Sequence, residues 1–185
     1  MIDRAAMRWT GRDDGPEPEH FRWHHVVNAA GADAPAAIIG FASDEGVRRN
    51  QGRLGAAEGP LALRGMLANL ADPEREVVDV GDVVVADADL EGGQQRLADE
   101  VGAVLARGAL PIVLGGGHAV AYGSGSAWVR RDETWGVLNL DAHLDLRQAP
   151  RATSGTPFRQ LADDLAAAGK PFHYSVIGLS RPSNT

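Results

Sequence analysis

Three potential metal ligands stand at alternate positions in the middle of this 185-residue sequence. Asp141, His143 and Asp145 follow a short apolar run, and alternate side chains of an extended segment point to one face. His118 follows another apolar run, after three glycines, and could supply a fourth ligand. Carboxylate oxygen and imidazole nitrogen suit Mn, Mg or a catalytic Zn, so donor type alone does not choose among these ions.

The spacing of the two carboxylates bears on the number of ions. Four residues of extended chain span about 13 Å, whereas metal–ligand bonds are only about 2.0–2.2 Å long. Asp141 and Asp145 can therefore share an ion only if the segment bends, and otherwise they fit two ions about 3.5–4 Å apart. A capped turn with a solvated histidine is the alternative, but the clustering of four candidate ligands at strand ends favours a metal site.

The remaining histidines and the glycine run do not indicate a second site. His20, His24 and His25 lie in a polar N-terminal stretch and are predicted to be at the surface. Gly115–Gly117 could be a phosphate loop, but the run lacks the residues that follow in nucleotide-binding motifs. The glycines more plausibly let the backbone turn tightly, so that His118 reaches the candidate site.

The elements that must position these residues alternate between strand and helix. Apolar and β-branched runs predict strands at 36–41, 77–85, 110–114, 136–140 and 174–179. Helical periodicity and end signals predict helices at 60–70, 94–107, within 119–131 and at 158–168, with a long loop over 42–59. This order predicts an α/β fold with helices on both faces of a mainly parallel sheet, in which ligands collect at the carboxyl ends of strands.

Length and composition narrow the classes of protein. Residues 1–185 are predicted to form one domain, on which a polar N-terminal extension, 1–35, packs. A formal charge of −7 argues against a general binder of nucleic acid or anionic membranes. The absence of cysteine excludes disulfides, thiolate metal sites and cysteine nucleophiles, and no segment has the features of a membrane helix or signal peptide. A cytoplasmic location is expected.

These motifs together resemble the ureohydrolase family, which contains arginases and agmatinases. Gly115-Gly116-Gly117-His118 is similar to the first metal motif of that family, and Asp141-Ala142-His143-Leu144-Asp145 is similar to the second. Finer similarity is to the formimidoylglutamase branch, in the segments 9–13, 44–50, 52–56, 154–158 and 178–185. Phe158 stands where the arginase branch usually has a histidine. The resemblance implies a three-layer α/β/α arginase-like fold.

The resemblance also implies a reaction and a cofactor. The expected reaction is hydrolysis of N-formimidoyl-L-glutamate to L-glutamate and formamide, a step of histidine degradation, by a hydroxide that bridges two Mn²⁺ ions. Asp141 would bridge the ions, His118 and Asp145 would complete one of them, and His143 would complete the other. No catalytic side chain beyond the metal-bound hydroxide is expected.

The two carboxylates of such a substrate call for cationic or hydroxyl partners. Arg147, two residues after Asp145, offers a bidentate fork for a carboxylate. Ser154 is the next candidate, as a hydroxyl donor. Arg181 follows the last predicted strand, and for this residue a surface charge and a substrate-binding role are equally expected.

One feature of the family is missing from this sequence. Its members carry a later Asp-x-Asp motif that supplies two more metal ligands, and no Asp-x-Asp follows Asp145 here. The expectation is a chain that lacks the C-terminal part of the fold, with an incomplete sheet and weak or single-ion binding. Whether these 185 residues are active on their own is left open by the sequence.

Two other functions remain open. An agmatinase or guanidinobutyrase would release urea from a guanidino substrate, although the segment 154–158 speaks against it. A non-catalytic fragment with a weak metal site would be stabilised by metal without turnover. The expected partner is a small molecule, without nucleic acid or membrane, and a homo-oligomer is expected only by analogy with the family.

Overall fold

The centre of the fold is a three-stranded parallel sheet. The computed structural model describes residues 1–72 and 74–184. The strands are β1 (Ala36–Ala42), β2 (Val77–Val84) and β3 (Leu110–Gly115), in the order β2-β1-β3. β1 is buried along its whole length because β2 and β3 pair with its two edges.

Helices cover both faces of this sheet, which confirms the three-layer α/β/α prediction. The helices are α1 (Trp23–Ala29), α2 (Glu45–Arg49), α3 (Gly59–Leu67), α4 (Leu90–Ala106), α5 (Val120–Val129) and α6 (Pro157–Ala167). On one face Ile39 and Phe41 of β1 pack with Leu97 of α4, and α4, α5 and α6 form one layer. On the other face Ile38 packs with the layer that contains α1 and α3.

A second sheet contains the last two strands. β4 (Val137–Leu140) and β5 (Tyr174–Ile177) pair in parallel. Within residues 1–72 and 74–184, β3 pairs only with β1 and β4 only with β5, so no backbone ladder joins β3 to β4. The two sheets nevertheless approach each other at their carboxyl ends, where His118 contacts Asp145.

The segment predicted as a long loop, 42–59, contains short helical elements. α2 lies within it, followed by a 3-10 turn at Ala56–Glu58. The helix predicted from Gln94 begins earlier, at Leu90, because the Asp89 side chain accepts a hydrogen bond from the Gly92 backbone N–H at 3.1 Å and caps the helix. Among the described residues, no helix combines the length and apolar character that crossing a bilayer requires.

The N-terminal 35 residues lie against the body of the fold. Trp9 is buried, and its indole N–H donates to Asp79 at 2.7 Å. Arg4 forms an antiparallel bridge with Asp82 on β2. His24 was expected at the surface, but it is buried because α1 turns it toward the end of α3, where its Nδ1 lies 3.0 Å from the Ala68 carbonyl.

A buried ionic group fastens this segment to the sheet. Arg64 of α3 contacts Asp79 at 2.7 Å and Asp82 at 2.6 Å, and the three side chains are at most 9% exposed. Trp9 and Arg4 donate to the same two carboxylates. Removal of the guanidinium would leave carboxylates buried without their main partner, which costs far more than loss of a surface pair.

A second ionic group supports the loop that precedes α6. The Arg49 side chain is 6% exposed and contacts Glu45 at 2.7 Å and Glu91 at 2.5 Å. It also donates to the Ala152 carbonyl at 3.0 Å, which ties the loop to α2 and α4. Glu45 accepts a further bidentate pair of hydrogen bonds from Arg48 at 2.7 Å.

We expect Arg64→Ala to lower the free energy of unfolding by about 3 kcal/mol, as for a broken buried ion pair. The matched control is Arg159→Ala on α6, whose pair with Asp163 is exposed, with an expected loss of about 0.5 kcal/mol. Urea unfolding of both variants measures the difference. Equal losses would contradict a special role for the buried group.

Glu45 also makes stability depend on pH. Hydrogen bonds from Arg48 and then Arg49 lower its pKa from 4.5 to about 2, against the opposing effect of burial. A lowered pKa in the folded state stabilises the fold above pH 4.5, and this contribution is lost as pH falls toward 2. Wild type should therefore have a higher free energy of unfolding than Glu45→Gln at neutral pH. The difference between the two should shrink as the pH falls from 4.5 toward 2. A gap that stays constant in urea unfolding from pH 7 down to the acid limit would refute this assignment.

Candidate metal centre

The glycine turn after β3 brings His118 to the edge of the sheet. The Gly116 and Gly117 N–H groups donate to the carbonyls of Phe41 and Ser43, at 2.8 and 3.1 Å. A Cβ on Gly116 would lie 2.6 Å from the Ser43 carbonyl oxygen, so a side chain does not fit there. Glycine is needed because two backbones pack directly against each other at this point.

The loop after β4 bends and brings its two carboxylates together. The chain bends over residues 141–143, and Asp145 has a φ of 47°, in the left-handed region. His118 Nδ1 hydrogen-bonds to Asp145 Oδ2 and lies 3.7 Å from Asp141 Oδ2. One ligand atom from each of His118, Asp141 and Asp145 lies within 4.8 Å of the others. The bend thus removes the distance that separates the two carboxylates in an extended chain.

His143 lies on the other side of Asp141. Its Nδ1 is 3.3 Å from Asp141 Oδ1, whereas His118 faces Oδ2 of the same carboxylate. The His143 side chain is half exposed, and the structure does not bring it into the group formed by His118 and Asp145. Asp141 therefore stands between two imidazoles, one on each of its oxygens.

Hydrogen bonds set the charges of this cluster. The hydrogen bond to Asp145 raises the pKa of His118, although burial acts in the opposite direction. Burial works against ionisation of Asp141, but hydrogen bonds from the backbone N–H and ring of His143 outweigh it and lower the Asp141 pKa. Asp141 is therefore ionised at neutral pH, close to a second carboxylate.

This donor set fits a divalent cation. Two carboxylates that approach the same imidazole repel each other unless a positive charge lies between them. Asp141, Asp145 and His118 supply oxygen and nitrogen atoms of the kinds that Mn²⁺ and Zn²⁺ accept. A ligating imidazole must be neutral, so binding of a metal by His118 would depend on pH.

Aromatic side chains form one wall of the cluster, and the sequence did not single out all of them. The edge of the buried Phe158 ring lies against His118, with centroids 5.5 Å apart. Tyr174 packs on Phe158 at 4.8 Å, and its hydroxyl donates to the Leu144 carbonyl at 2.7 Å. Tyr174 was read only as the start of a strand, because its contact with the loop depends on the pairing of β4 with β5.

The predicted substrate residues have different surroundings. Arg147 lines a cleft of about 230 Å³ together with His143, Asp145 and Asn184. Its guanidinium is exposed and lies 3.2 Å from the Asn50 side-chain oxygen. It is thus free to meet a ligand next to the candidate metal ligands.

Ser154 and Arg181 do not line that cleft in the described part of the chain. The Ser154 backbone N–H donates to the Gly46 carbonyl at 3.0 Å, which holds the loop before α6 against α2. Arg181 is exposed at the start of a 3-10 turn, Arg181–Ser183. Of the three predicted substrate residues, the structure therefore places Arg147 beside the cluster.

Comparison with known proteins identifies the family. Residues 34–185 match the model described as the arginase family. Formimidoylglutamases of Chromobacterium violaceum and Nocardia farcinica are 55% and 51% identical to this chain. The matches cover 100% and 98% of this chain and 61% of each relative. The chain thus spans about three fifths of the length of these curated relatives.

Solved structures show the same fold. Trypanosoma cruzi formiminoglutamase, solved with Mn²⁺, has a TM-score of 0.78 at 36% identity, covering 89% of this chain and 59% of that one. Arginase from Bacillus caldovelox has a TM-score of 0.61 at 27% identity, covering 79% and 58%. A matching family model over residues 34–185 and an arginase-like arrangement of strands and helices lead to one conclusion: this chain belongs to the arginase family.

Proposed function

We propose that this chain is a hydrolase of the formimidoylglutamase type, which cleaves the amidine C–N bond of N-formimidoyl-L-glutamate to give L-glutamate and formamide. The observation that carries the proposal is the convergence of His118, Asp141 and Asp145 where the two sheets meet. The substrate is chosen because the relatives over 50% identical are formimidoylglutamases. Histidine degradation is the proposed context, and the substrate is the proposed small-molecule partner.

Mn²⁺ is the proposed cofactor, since the similar Trypanosoma cruzi protein was solved with it. When bound, it would activate water for attack on the amidine carbon and neutralise the charge that develops there. Asp141 and Asp145 would supply the negative charge that holds the cation, and His118 would supply an imidazole nitrogen. The position of Asp141 between His118 and His143 supports a bridging role between two ions.

The other residues of the site would orient the substrate and exclude water. Phe158 covers the His118 ring, and a dry wall strengthens the electrostatic interactions of the cluster. Arg147 lies at the cleft beside Asp145 and would bind one substrate carboxylate through its guanidinium fork. Ser154 and Arg181 remain proposed partners of the substrate that would require movement toward the cleft.

A second candidate, a metal-binding chain without turnover, is favoured by one observation. Leu138, Leu140 and Ile177 on β4 and β5 are 62%, 74% and 60% exposed. Sheets of α/β proteins with parallel strands are normally covered on both faces, and this face of β4 and β5 lacks such a covering layer in the described part of the chain. Because His143 lies outside the group of His118, Asp141 and Asp145, this candidate also includes weak binding of a single ion.

The proposed reaction is tested by formamide release from N-formimidoyl-L-glutamate, with Mn²⁺ or with chelator. Asp145→Asn removes the ligand charge at nearly constant shape, and we expect turnover to fall at least about 100-fold, as for removal of a metal ligand. His173→Ala, an exposed histidine outside the cluster, is the matched control and should retain activity.

Two results would contradict the assignment. Turnover that survives chelation or Asp145→Asn would exclude a role for the cluster. Urea release from agmatine or guanidinobutyrate in preference to formamide release would move the chain to another branch. Mn²⁺ binding and thermal stabilisation without any turnover would favour the second candidate.

The role of Arg147 is tested by Arg147→Ala and Arg147→Lys. A hydrogen bond to a charged group contributes about 1.5–3 kcal/mol. Its loss in Arg147→Ala should raise KM roughly 10- to 100-fold at nearly unchanged kcat. Arg147→Lys should recover part of the lost affinity. Arg159→Ala, an exposed arginine on α6, is the control. If the chain does not turn over the substrate, the dissociation constant of the substrate measures the same loss of affinity. An unchanged dissociation constant would contradict the role of Arg147 in substrate binding.

A further inference from the structure

The loop that carries the candidate ligands is held by a side chain that follows β5. The Asn184 carboxamide donates to the Ala142 carbonyl at 2.8 Å and accepts from the Leu144 N–H at 2.8 Å. These two backbone groups flank His143, which lies between them in the sequence. A third hydrogen bond, from the same amide nitrogen to the Ser180 carbonyl at 2.7 Å, fixes the carboxamide itself.

This pattern continues the sheet beyond the end of β5. In a parallel ladder, each bonded residue of one strand lies opposite a residue of the other strand. Its N–H donates to the carbonyl of the residue before that opposite residue, and its carbonyl accepts from the N–H of the residue after it. The backbone ladder reaches Asp141, whose N–H donates to the Ile177 carbonyl at 3.0 Å. Gly178 then turns the chain with a φ of 95°, and the Ser180 N–H donates to the Ala142 carbonyl at 3.0 Å. The Asn184 carboxamide adds a second donor to the Ala142 carbonyl and supplies the acceptor for the Leu144 N–H, so that it bonds the backbone on both sides of His143.

Other groups hold the remainder of the loop. The Tyr174 hydroxyl donates to the Leu144 carbonyl at 2.7 Å. The Phe158 N–H donates to the Asp145 carbonyl at 3.2 Å. Hydrogen bonds therefore occupy the backbone on both sides of Leu144, while the side chains of Asp141 and Asp145 are left for the cluster.

We propose that Asn184 is a positioning residue for the metal centre, which fixes the backbone of residues 142–144 so that Asp141 and Asp145 stay directed to the site. This inference rests on the proposed metal function. An unclamped loop would reach the binding geometry only part of the time, and apparent affinity falls in proportion to the fraction of competent molecules. Tyr174 acts in the same direction through a single hydrogen bond.

The experiment compares Asn184→Ala with Ser183→Ala in the full chain. Ser183 is adjacent, and its hydroxyl bonds the Ser180 hydroxyl at 3.1 Å rather than the loop. Calorimetric titration with Mn²⁺ gives the affinity, and amide hydrogen exchange of Leu144 reports the clamp directly without metal. Tyr174→Phe removes one hydroxyl and retains the aromatic packing, so it decides the question if Asn184→Ala does not fold.

Asn184→Ala should weaken Mn²⁺ binding about 10- to 100-fold, the range for residues that orient metal ligands, and should abolish protection of the Leu144 amide. Tyr174→Phe should weaken binding several-fold, and Ser183→Ala should match wild type in both measurements. A merely structural role would lower the unfolding midpoint without changing the affinity measured well below it.

The outcomes separate the two proposals. Unchanged Mn²⁺ affinity in folded Asn184→Ala, or in Tyr174→Phe where only that variant folds, overturns the positioning role and leaves the metal site standing. An equal loss of affinity in Ser183→Ala also overturns it. Absence of Mn²⁺ binding by the wild-type chain overturns the metal function and this role with it.

Discussion

The approach of two carboxylates to one imidazole is the constraint on which the rest of the candidate site depends. Asp141 and Asp145 repel each other when both are ionised, and Asp145 adopts a backbone conformation that costs roughly 1 kcal/mol or more for a non-glycine residue. Hydrogen bonds from the surrounding elements to the loop oppose both costs. A bound divalent cation would convert the repulsion into attraction, so such a loop is better suited to a metal centre than to a merely structural turn.

The two sheets approach each other where this cluster lies. β3 ends in the glycine turn that carries His118, and β4 ends in the loop that carries the carboxylates. No backbone ladder joins these strands in the described chain, and the layer of α4, α5 and α6 connects them instead. Side chains at the carboxyl ends are thus brought together by helix packing, which is consistent with ligand sites of parallel α/β proteins.

Buried ionic groups fasten the irregular segments to this framework. Arg64 fixes the N-terminal segment through two carboxylates on β2, and Arg49 fixes the loop before α6. In each case the planar guanidinium binds one carboxylate through two hydrogen bonds and contacts further acceptors besides, and the ammonium of lysine has no such planar fork. These contacts explain how segments of weak hydrophobic periodicity become ordered parts of the fold, with Trp9 as a buried anchor.

Local patterns in the sequence determined much of the architecture. The periodic stripe of α4, with Leu97 and Val101, is buried as its spacing requires, and the apolar run of β1 is buried at every position. His118, Asp141, His143 and Asp145 could be selected as candidate ligands because alternate spacing and strand ends are visible in the sequence itself. The parallel three-layer fold follows from the same alternation.

Only the tertiary structure decided how these parts meet. The bend over residues 141–143, the separation of β3 from β4 and the burial of His24 depend on contacts between residues far apart in the chain. Asn184 and Tyr174 carry no local signal, because each acts by bonding the backbone of a loop 30 or more positions away. Side-chain type and spacing show which residues could bind a metal. Long-range hydrogen bonds and packing determine which of those residues come close enough to do so.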